Sequence, residues 1–281
     1  MEWVRRWVEE SPYTAALGVR VRELSRERAV LELPFSEPNS NPGKALHGGC
    51  AASLAAVGAQ AVTRLALGEE SGPWHTCALQ VGYLAAAIDE DVVASATLLR
   101  EGKQLCFVAV EIATAAGKPI AHATSIVRAR LAAPPAELRQ SAGDDGACEP
   151  GPMGPVIGQI PFIGARGICV EHMTGGRSRL RMPFRAANAD ASGGVHEGAL
   201  LALLDTTGAM ASWAETGHGR YKASTPAIQA QILAPAPNQD LVAYGRMQQR
   251  DGELLWSDAE IASAVDGRIF VRGTVVYRIV A

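Results

Sequence analysis

The stretch SPYTAALGVRVREL at residues 11–24 decides the fold, because it recurs as IPFIGARGICVEHM at residues 160–173. The matched pairs, each 149 positions apart, include Pro12 with Pro161, Tyr13 with Phe162, Gly18 with Gly167, His47 with His196, Gln80 with Gln229 and Thr76 with Thr225. Self-similarity held over this length is the signature of an internal repeat. We therefore predict two copies of one unit, related by a pseudo-twofold axis.

A segment that favours neither helix nor strand separates the copies. It reads APPAELRQSAGDDGACEPGPMGP at residues 133–155, and its proline, glycine and aspartate content is typical of a linker. The predicted units are accordingly 1–132 and 156–281, and a chain of 281 residues is long enough for two such domains.

Composition and charge exclude several classes of function. The net charge is −3 and the basic residues are scattered, so nucleic acid is not an expected partner. Five cysteines without CxxC spacing favour neither a disulfide framework nor a zinc site, which fits a cytoplasmic protein. The charged N-terminus does not resemble a signal peptide, and the longest apolar stretch indicates a buried helix, so no membrane partner is expected.

The first unit predicts an α+β architecture. A short helix over 2–10 and one long helix of small residues from His47 to about Leu67 are the helical patterns. Strand-like runs cover 18–24, 29–34, 74–84, 92–100, 104–113 and 119–130. This pattern, repeated in the second unit, predicts antiparallel strands around one central helix in each copy.

The motif before the long helix resembles the hotdog-fold thioesterases of the PaaI-like group. A polar loop carries Asn41, and His47-Gly48-Gly49 then opens the helix. In the second copy an acid, Asp205, lies nine residues after the corresponding histidine. The resemblance spans nearly the whole chain and implies a double hotdog that hydrolyses acyl-CoA, with coenzyme A as part of the substrate and no metal or redox cofactor.

The resemblance also implies a composite site, in which one unit supplies the helix start and the other supplies an acid and a hydroxyl. Nine residues at about 100° each place the acid on the helix face opposite the histidine, towards the neighbouring helix. The first copy has Ala56 at the acid position, whereas the second copy has Glu197 in place of the first glycine of the motif and Asp190 in place of the asparagine. One complete site results from Asn41, His47, Gly48, Gly49, Asp205 and Thr225, and the reciprocal site is predicted to be vestigial.

The chemistry of these residue types suits thioester hydrolysis. The unpaired Gly48 N–H at a helix N-terminus can stabilise an oxyanion. Asp205 is expected to be general base or nucleophile, and Thr225 to orient water. His47 is expected to orient the loop, and Cys50 to fill the core. Lys44, Arg128 and Arg130 are the cations considered for the phosphates of coenzyme A, although isolated basic residues are usually only solvated.

Two other functions compete with hydrolysis. A degenerate hotdog could hold acyl-CoA without cleaving it, since Ala56 and Glu197 show that one site has already changed. A hotdog enoyl-CoA hydratase is approached by Asp190 and His196, but five residues separate them instead of four. A homo-oligomer, specifically a dimer of double hotdogs, is also expected.

Overall fold

The computed structural model describes residues 1–129, 137–219 and 221–280. Its first half contains three α-helices and six strands in the described residues, which confirms the α+β prediction for this unit. They are α1 (Glu2–Glu10), α2 (Pro12–Leu17), β1 (Arg20–Leu24), β2 (Arg28–Leu33), α3 (Gly48–Leu67), β3 (Trp74–Tyr83), β4 (Val92–Glu101), β5 (Leu105–Thr114) and β6 (Pro119–Ala129).

The second half repeats the same order of elements. They are α4 (Gly154–Ile157), α5 (Pro161–Arg166), β7 (Cys169–Thr174), β8 (Arg177–Met182), α6 (Glu197–Thr216), β9 (Lys222–Ile232), β10 (Leu241–Asp251), β11 (Leu254–Ser263) and β12 (Ile269–Val280). Each half therefore has one 20-residue helix and six strands, as the repeat predicts.

All twelve strands form one antiparallel sheet in the order β1-β2-β4-β5-β6-β3-β9-β12-β11-β10-β8-β7. The two halves join through β3 and β9, where Gln80 pairs directly with Gln229. These two residues are equivalent in the repeat, so the pseudo-twofold axis passes between them. The axis also relates α3 to α6, which bury themselves against the sheet and against each other.

Small residues allow the two long helices to approach closely. A methyl group added at Gly49 would lie 2.8 Å from the Ala202 Cβ, and one added at Gly198 would lie 2.6 Å from the Ser53 hydroxyl oxygen. The α3 sequence is long and apolar enough to cross a membrane, but 89% of its 18-residue apolar window is buried inside the protein. Its apolarity is thereby accounted for by core packing.

The two halves differ most at their N-terminal helices. The nine-residue α1 of the first half corresponds to the four-residue α4 of the second. Residues 133–136 of the predicted linker lie outside the described residues. The described part of the linker contacts the second unit, because Ser141 N–H donates to the Gly267 carbonyl. Helix α4 begins at Gly154, so the last two residues of the predicted linker are helical.

Candidate active site at the interface of the two units

The N-terminus of α3 presents the Gly48 amide towards the second unit. His47 caps the helix, and its Nδ1 accepts a hydrogen bond of 2.9 Å from Gly49 N–H. Cys50 N–H donates to the His47 carbonyl. Gly48 N–H has no acceptor among the described residues, so of the two glycine amides in the motif only this one is available to an oxyanion.

Asp205 of the second unit lies beside Gly48 of the first. A methyl group added at Gly48 would lie 2.9 Å from the Asp205 Oδ2 oxygen. The Thr225 hydroxyl donates a hydrogen bond of 2.8 Å to the other oxygen, Oδ1. The structure therefore brings Gly48, Asp205 and Thr225 together at the interface between the units, which we call the first cleft, and Oδ2 faces the helix N-terminus.

Burial dominates the electrostatics of this cleft. Asp205 is only 4% exposed, and this burial raises the pKa of its carboxyl from 3.8 to about 6, with the Thr225 hydrogen bond acting in the opposite direction. A carboxylate that titrates near neutral pH is suited to accept and return a proton during catalysis.

Two tyrosines that the sequence analysis did not identify flank Asp205. The Tyr83 hydroxyl donates to the Gly48 carbonyl at 3.1 Å, and burial together with the Asp205 charge raises its pKa well above 10. Tyr277 accepts a 3.1 Å hydrogen bond from Trp213 Nε1, and burial raises its pKa to about 12. Their repeat counterparts are Ile232 and Val127, so no repeated motif marked them.

The other predicted site residues lie near the contact between Gly48 and Asp205 but do not form it. Gly49 lies against α6, where its lack of a side chain permits helix packing. His47 is buried and stacks on Phe162 at 4.2 Å, and burial lowers its pKa to about 3, so it is neutral and orients the backbone. Asn41 N–H donates to Ala45 in the loop, but the Asn41 side chain makes no hydrogen bond within the described part of the chain.

Cys50 does not have the environment of a nucleophile. It is fully buried, its thiol donates to the Asn39 carbonyl at 3.5 Å, and burial raises its pKa. Reactive cysteines are instead partly exposed and have a lowered pKa.

In the reciprocal cleft the Glu197 side chain fills the space next to the helix N-terminus. Its carboxylate accepts hydrogen bonds from Thr76 N–H at 3.0 Å and from Gln60 Nε2 at 2.7 Å. Burial raises its pKa. Ala56 stands at the helical acid position here, and the carboxylate next to the helix N-terminus belongs to Glu197, which replaces the glycine found in the first cleft.

An aromatic and arginine cluster closes the rest of the second cleft. The Arg64 guanidinium lies 3.7 Å from the Trp7 ring centre and 4.4 Å from that of Trp74, and it donates to Gln60 at 3.0 Å. Trp7 Nε1 also donates to Asp190 at 3.2 Å, and this carboxylate lies 3.7 Å from the buried His196 Nε2. The α1 helix thus covers the second cleft with side chains.

The first cleft has smaller residues at several equivalent positions, although Trp213 stands where Arg64 lies in the second. Glu197, Gln60, Trp74 and Trp7 correspond to Gly48, Ala209, Ala223 and Val156, at the same offset of 149. The first residues of β9 are exposed, whereas His75 and Thr76 of β3 are buried. Among the described residues, the first cleft therefore combines the helical acid Asp205 and the Gly48 amide with an exposed start of the neighbouring strand β9.

Comparisons with known proteins agree with this architecture. The family profile described as the acyl-CoA thioesterase N-terminal domain matches residues 35–128. A search of curated protein sequences found no match. Solved structures similar over nearly their whole length include a protein of unknown function with the hot dog fold from Alicyclobacillus acidocaldarius, at 14% identity, covering 98% of both chains with a TM-score of 0.66.

Two mycobacterial structures are similar to the same extent. The tesB protein of Mycobacterium avium subsp. paratuberculosis is 13% identical, covers 93% of this chain and 96% of its own, and has a TM-score of 0.64. An acyl-CoA thioesterase II from Mycobacterium marinum is 12% identical and covers 96% of each chain with a TM-score of 0.65. These likenesses confirm the double-hotdog fold, and the profile match confirms the resemblance to hotdog thioesterases.

Proposed function

We propose that this double-hotdog protein, whose first unit matches the acyl-CoA thioesterase family, hydrolyses acyl-CoA thioesters in the cleft that contains Gly48, Asp205 and Thr225. The observation that carries the proposal is the position of Asp205 Oδ2 next to Gly48, at the N-terminus of the other unit's helix. Membership of the PaaI-like group stays a prediction.

The positions of these groups support a general-base route. Asp205 Oδ2 takes a proton from a water molecule, and the resulting hydroxide attacks the thioester carbonyl carbon. Gly48 N–H and the positive end of the α3 dipole stabilise the oxyanion that forms. When the carbon–sulfur bond breaks, the thiolate of coenzyme A takes the proton from Asp205. Thr225 holds Oδ1, so that Oδ2 remains directed at the helix N-terminus.

A nucleophilic route differs in one measurable way. If Asp205 attacked the carbonyl itself, an acyl anhydride would form and a carboxylate oxygen would exchange with water. A single turnover in H₂¹⁸O followed by mass spectrometry of the Asp205 peptide tests for an anhydride that water cleaves at the aspartyl carbonyl. Label in the peptide establishes the nucleophile, and label in the acyl product alone excludes that cleavage and is the result expected for the general base.

Thiol release from a panel of acyl-CoA esters tests the function itself. We expect turnover by the wild-type chain and a loss of at least about 10³-fold in the Asp205→Ala variant. The matched control is Asp258→Ala, because Asp258 also accepts a threonine hydrogen bond, from Thr274 at 3.0 Å, but is exposed on β11. Binding of acyl-CoA without turnover, unchanged by Asp205→Ala, would instead establish the binding-only function.

A further inference from the structure

In the second cleft, the Glu197 carboxylate occupies the position of a ligand. Glu197 is the first residue of α6, and its carboxylate reaches the opposite unit. There Oε1 accepts a hydrogen bond from Thr76 N–H at 3.0 Å, and Oε2 accepts one from Gln60 Nε2 at 2.7 Å. Both donors belong to the first unit, so Glu197 binds across the interface as a ligand that is attached to the chain.

The repeat gives the corresponding position in the first cleft. At the offset of 149, the counterparts of Glu197 and Thr76 are Gly48 and Thr225. Gly48 has no side chain, so the repeat position that supplies the carboxylate in the second cleft supplies none in the first. The Thr225 main-chain amide corresponds to the donor in Thr76, and the Thr225 hydroxyl bonds to Asp205. A carboxylate from solution would therefore lie between Gly48 and Thr225, next to Asp205.

Each cleft carries one carboxylate at these two positions of the repeat. The second cleft has Glu197 at the helix start and Ala56 at the helical acid position, whereas the first has Gly48 and Asp205 there. A methyl group added at Gly48 would already lie 2.9 Å from Asp205 Oδ2, so an acidic side chain there would bring two carboxyl groups together. Two carboxylates that share one site disfavour each other's ionisation. A ligand carboxylate in the first cleft must therefore meet the charge of Asp205.

The charge of Asp205 changes near neutral pH, whereas its titratable neighbours stay neutral. Burial raises the pKa of Asp205 to about 6. Tyr83 from β3 and Tyr277 from β12 face it, and burial raises the pKa of Tyr83 well above 10 and that of Tyr277 to about 12. At the start of α3, burial lowers the pKa of His47 to about 3 and raises that of Cys50. Of these described groups, Asp205 is the one that gains or loses a charge between pH 5 and pH 8.

We propose that the first cleft binds the carboxylate product of hydrolysis in the position that Glu197 takes in the second cleft, and that ionised Asp205 expels it. A protonated Asp205 donates a hydrogen bond to the bound carboxylate, so that the two groups share one proton. In the proposed route the proton leaves Asp205 for the thiolate, and the acid product is formed beside an ionised Asp205; its own ionisation then favours release. The inference rests on the proposed function for the identity of the ligand, but binding can be measured without turnover.

Ligand-observed NMR titration of the full chain with butanoate, octanoate and benzoate at pH 6 and pH 8 tests it. The wild-type affinity should fall about 50-fold between these pH values, because the protonated fraction of Asp205 falls from about one half to about one hundredth. Asp205→Asn should bind at pH 8 at least as tightly as the wild type does at pH 6, and equally at both pH values, because its amide is uncharged and can donate a hydrogen bond. Asp258→Asn is the matched control, since Asp258 is an exposed acid that also accepts a threonine hydrogen bond, and it should keep the wild-type pH dependence.

A double variant that copies the second cleft tests the position of the ligand. Gly48→Glu/Asp205→Ala has at these two positions the residues that the second cleft has at 197 and 56. Its own carboxylate should occupy the site, so carboxylate binding at pH 8 should be at least about tenfold weaker than in Asp205→Ala alone. Equal binding by these two variants, with unchanged circular dichroism spectra, would place the ligand elsewhere and overturn the inference.

Equal wild-type affinity at pH 6 and pH 8, or the wild-type pH dependence in Asp205→Asn, also overturns the inference. Thiol release separates these results from the proposed function. Turnover by the wild type, without carboxylate binding by Asp205→Asn at either pH, contradicts the product site alone. Carboxylate binding with the expected pH dependence, but no turnover of any acyl-CoA ester by the wild type, contradicts hydrolysis alone.

Discussion

Replacing Asp205 by asparagine should abolish hydrolysis and yet make the protein more stable at neutral pH. The reason is that Asp205 is 4% exposed and its pKa is raised from 3.8 to about 6 by burial. The folded chain therefore holds the proton more tightly than the unfolded chain does. As the pH rises through this interval, ionising the buried carboxyl lowers the free energy of unfolding.

The magnitude follows from the difference between the two pKa values. About 2.2 pKa units correspond to about 3 kcal/mol at pH 8, where both states are ionised. At pH 4 the same linkage leaves only about 0.5 kcal/mol, because the folded state is then protonated. Asparagine keeps an acceptor for the Thr225 hydroxyl and carries no charge, so it should remove this destabilisation.

Urea unfolding of the wild type and of Asp205→Asn at both pH values measures the effect. The variant should be more stable by up to about 3 kcal/mol at pH 8, with the difference nearly vanishing at pH 4. Asp258→Asn, at the exposed Asp–Thr pair on β11, should change stability by less than about 0.5 kcal/mol at either pH. A variant no more stable than the wild type at pH 8, or a gain independent of pH, would refute the assignment of Asp205 as a buried base.

Three further outcomes follow from the two clefts. Gly48→Ala should lower kcat about 100-fold in steady-state thiol release with an unchanged circular dichroism spectrum, because its methyl group would displace the Asp205 oxygen 2.9 Å away; full activity would contradict the contact. Trp7→Ala should reduce the free energy of urea unfolding by about 3 kcal/mol or more, since it uncovers Arg64, while kcat stays within about twofold; a parallel loss of kcat would show that the second cleft contributes to turnover. His47→Asn should keep the acidic limb of kcat/KM near pH 6, because the pKa of His47 is about 3; a displaced limb would assign the proton transfer to His47.

The repeat in the sequence predicted much of the fold because packing positions recur. Glycines at equivalent turns, the two small-residue helices and the strand lengths are under the same steric constraints in both copies. The strand bounds agree with the structure to within one or two residues, for example Trp74–Tyr83 against the predicted 74–84. Helix α2 was not predicted, because six residues beginning at Pro12 carry little periodicity.

The candidate site was only partly predictable for a related reason. The spacing of Asp205 from its helix start predicts the face on which it lies, and the structure places it beside Gly48. Tyr83 and Tyr277 lie on β3 and β12, far in the sequence from the motif residues, and no sequence pattern marks them as site residues. The cluster of Trp7, Arg64 and Glu197 in the second cleft could be identified only from the three-dimensional structure, because its members come from both units.

The cations considered for coenzyme A show the same limit. Lys44 is paired with Asp89 at 2.8 Å, and Arg130 lies outside the described residues.

A crystal structure with a non-hydrolysable 2-oxoalkyl thioether analogue of an acyl-CoA, which keeps a ketone carbonyl, tests the central claim most directly. One analogue per chain should occupy the first cleft, with its carbonyl oxygen within hydrogen-bond distance of Gly48 N–H and its carbonyl carbon facing Asp205. An analogue bound instead beside Glu197 in the second cleft, or bound in the first cleft with its carbonyl away from Gly48, would contradict the composite site.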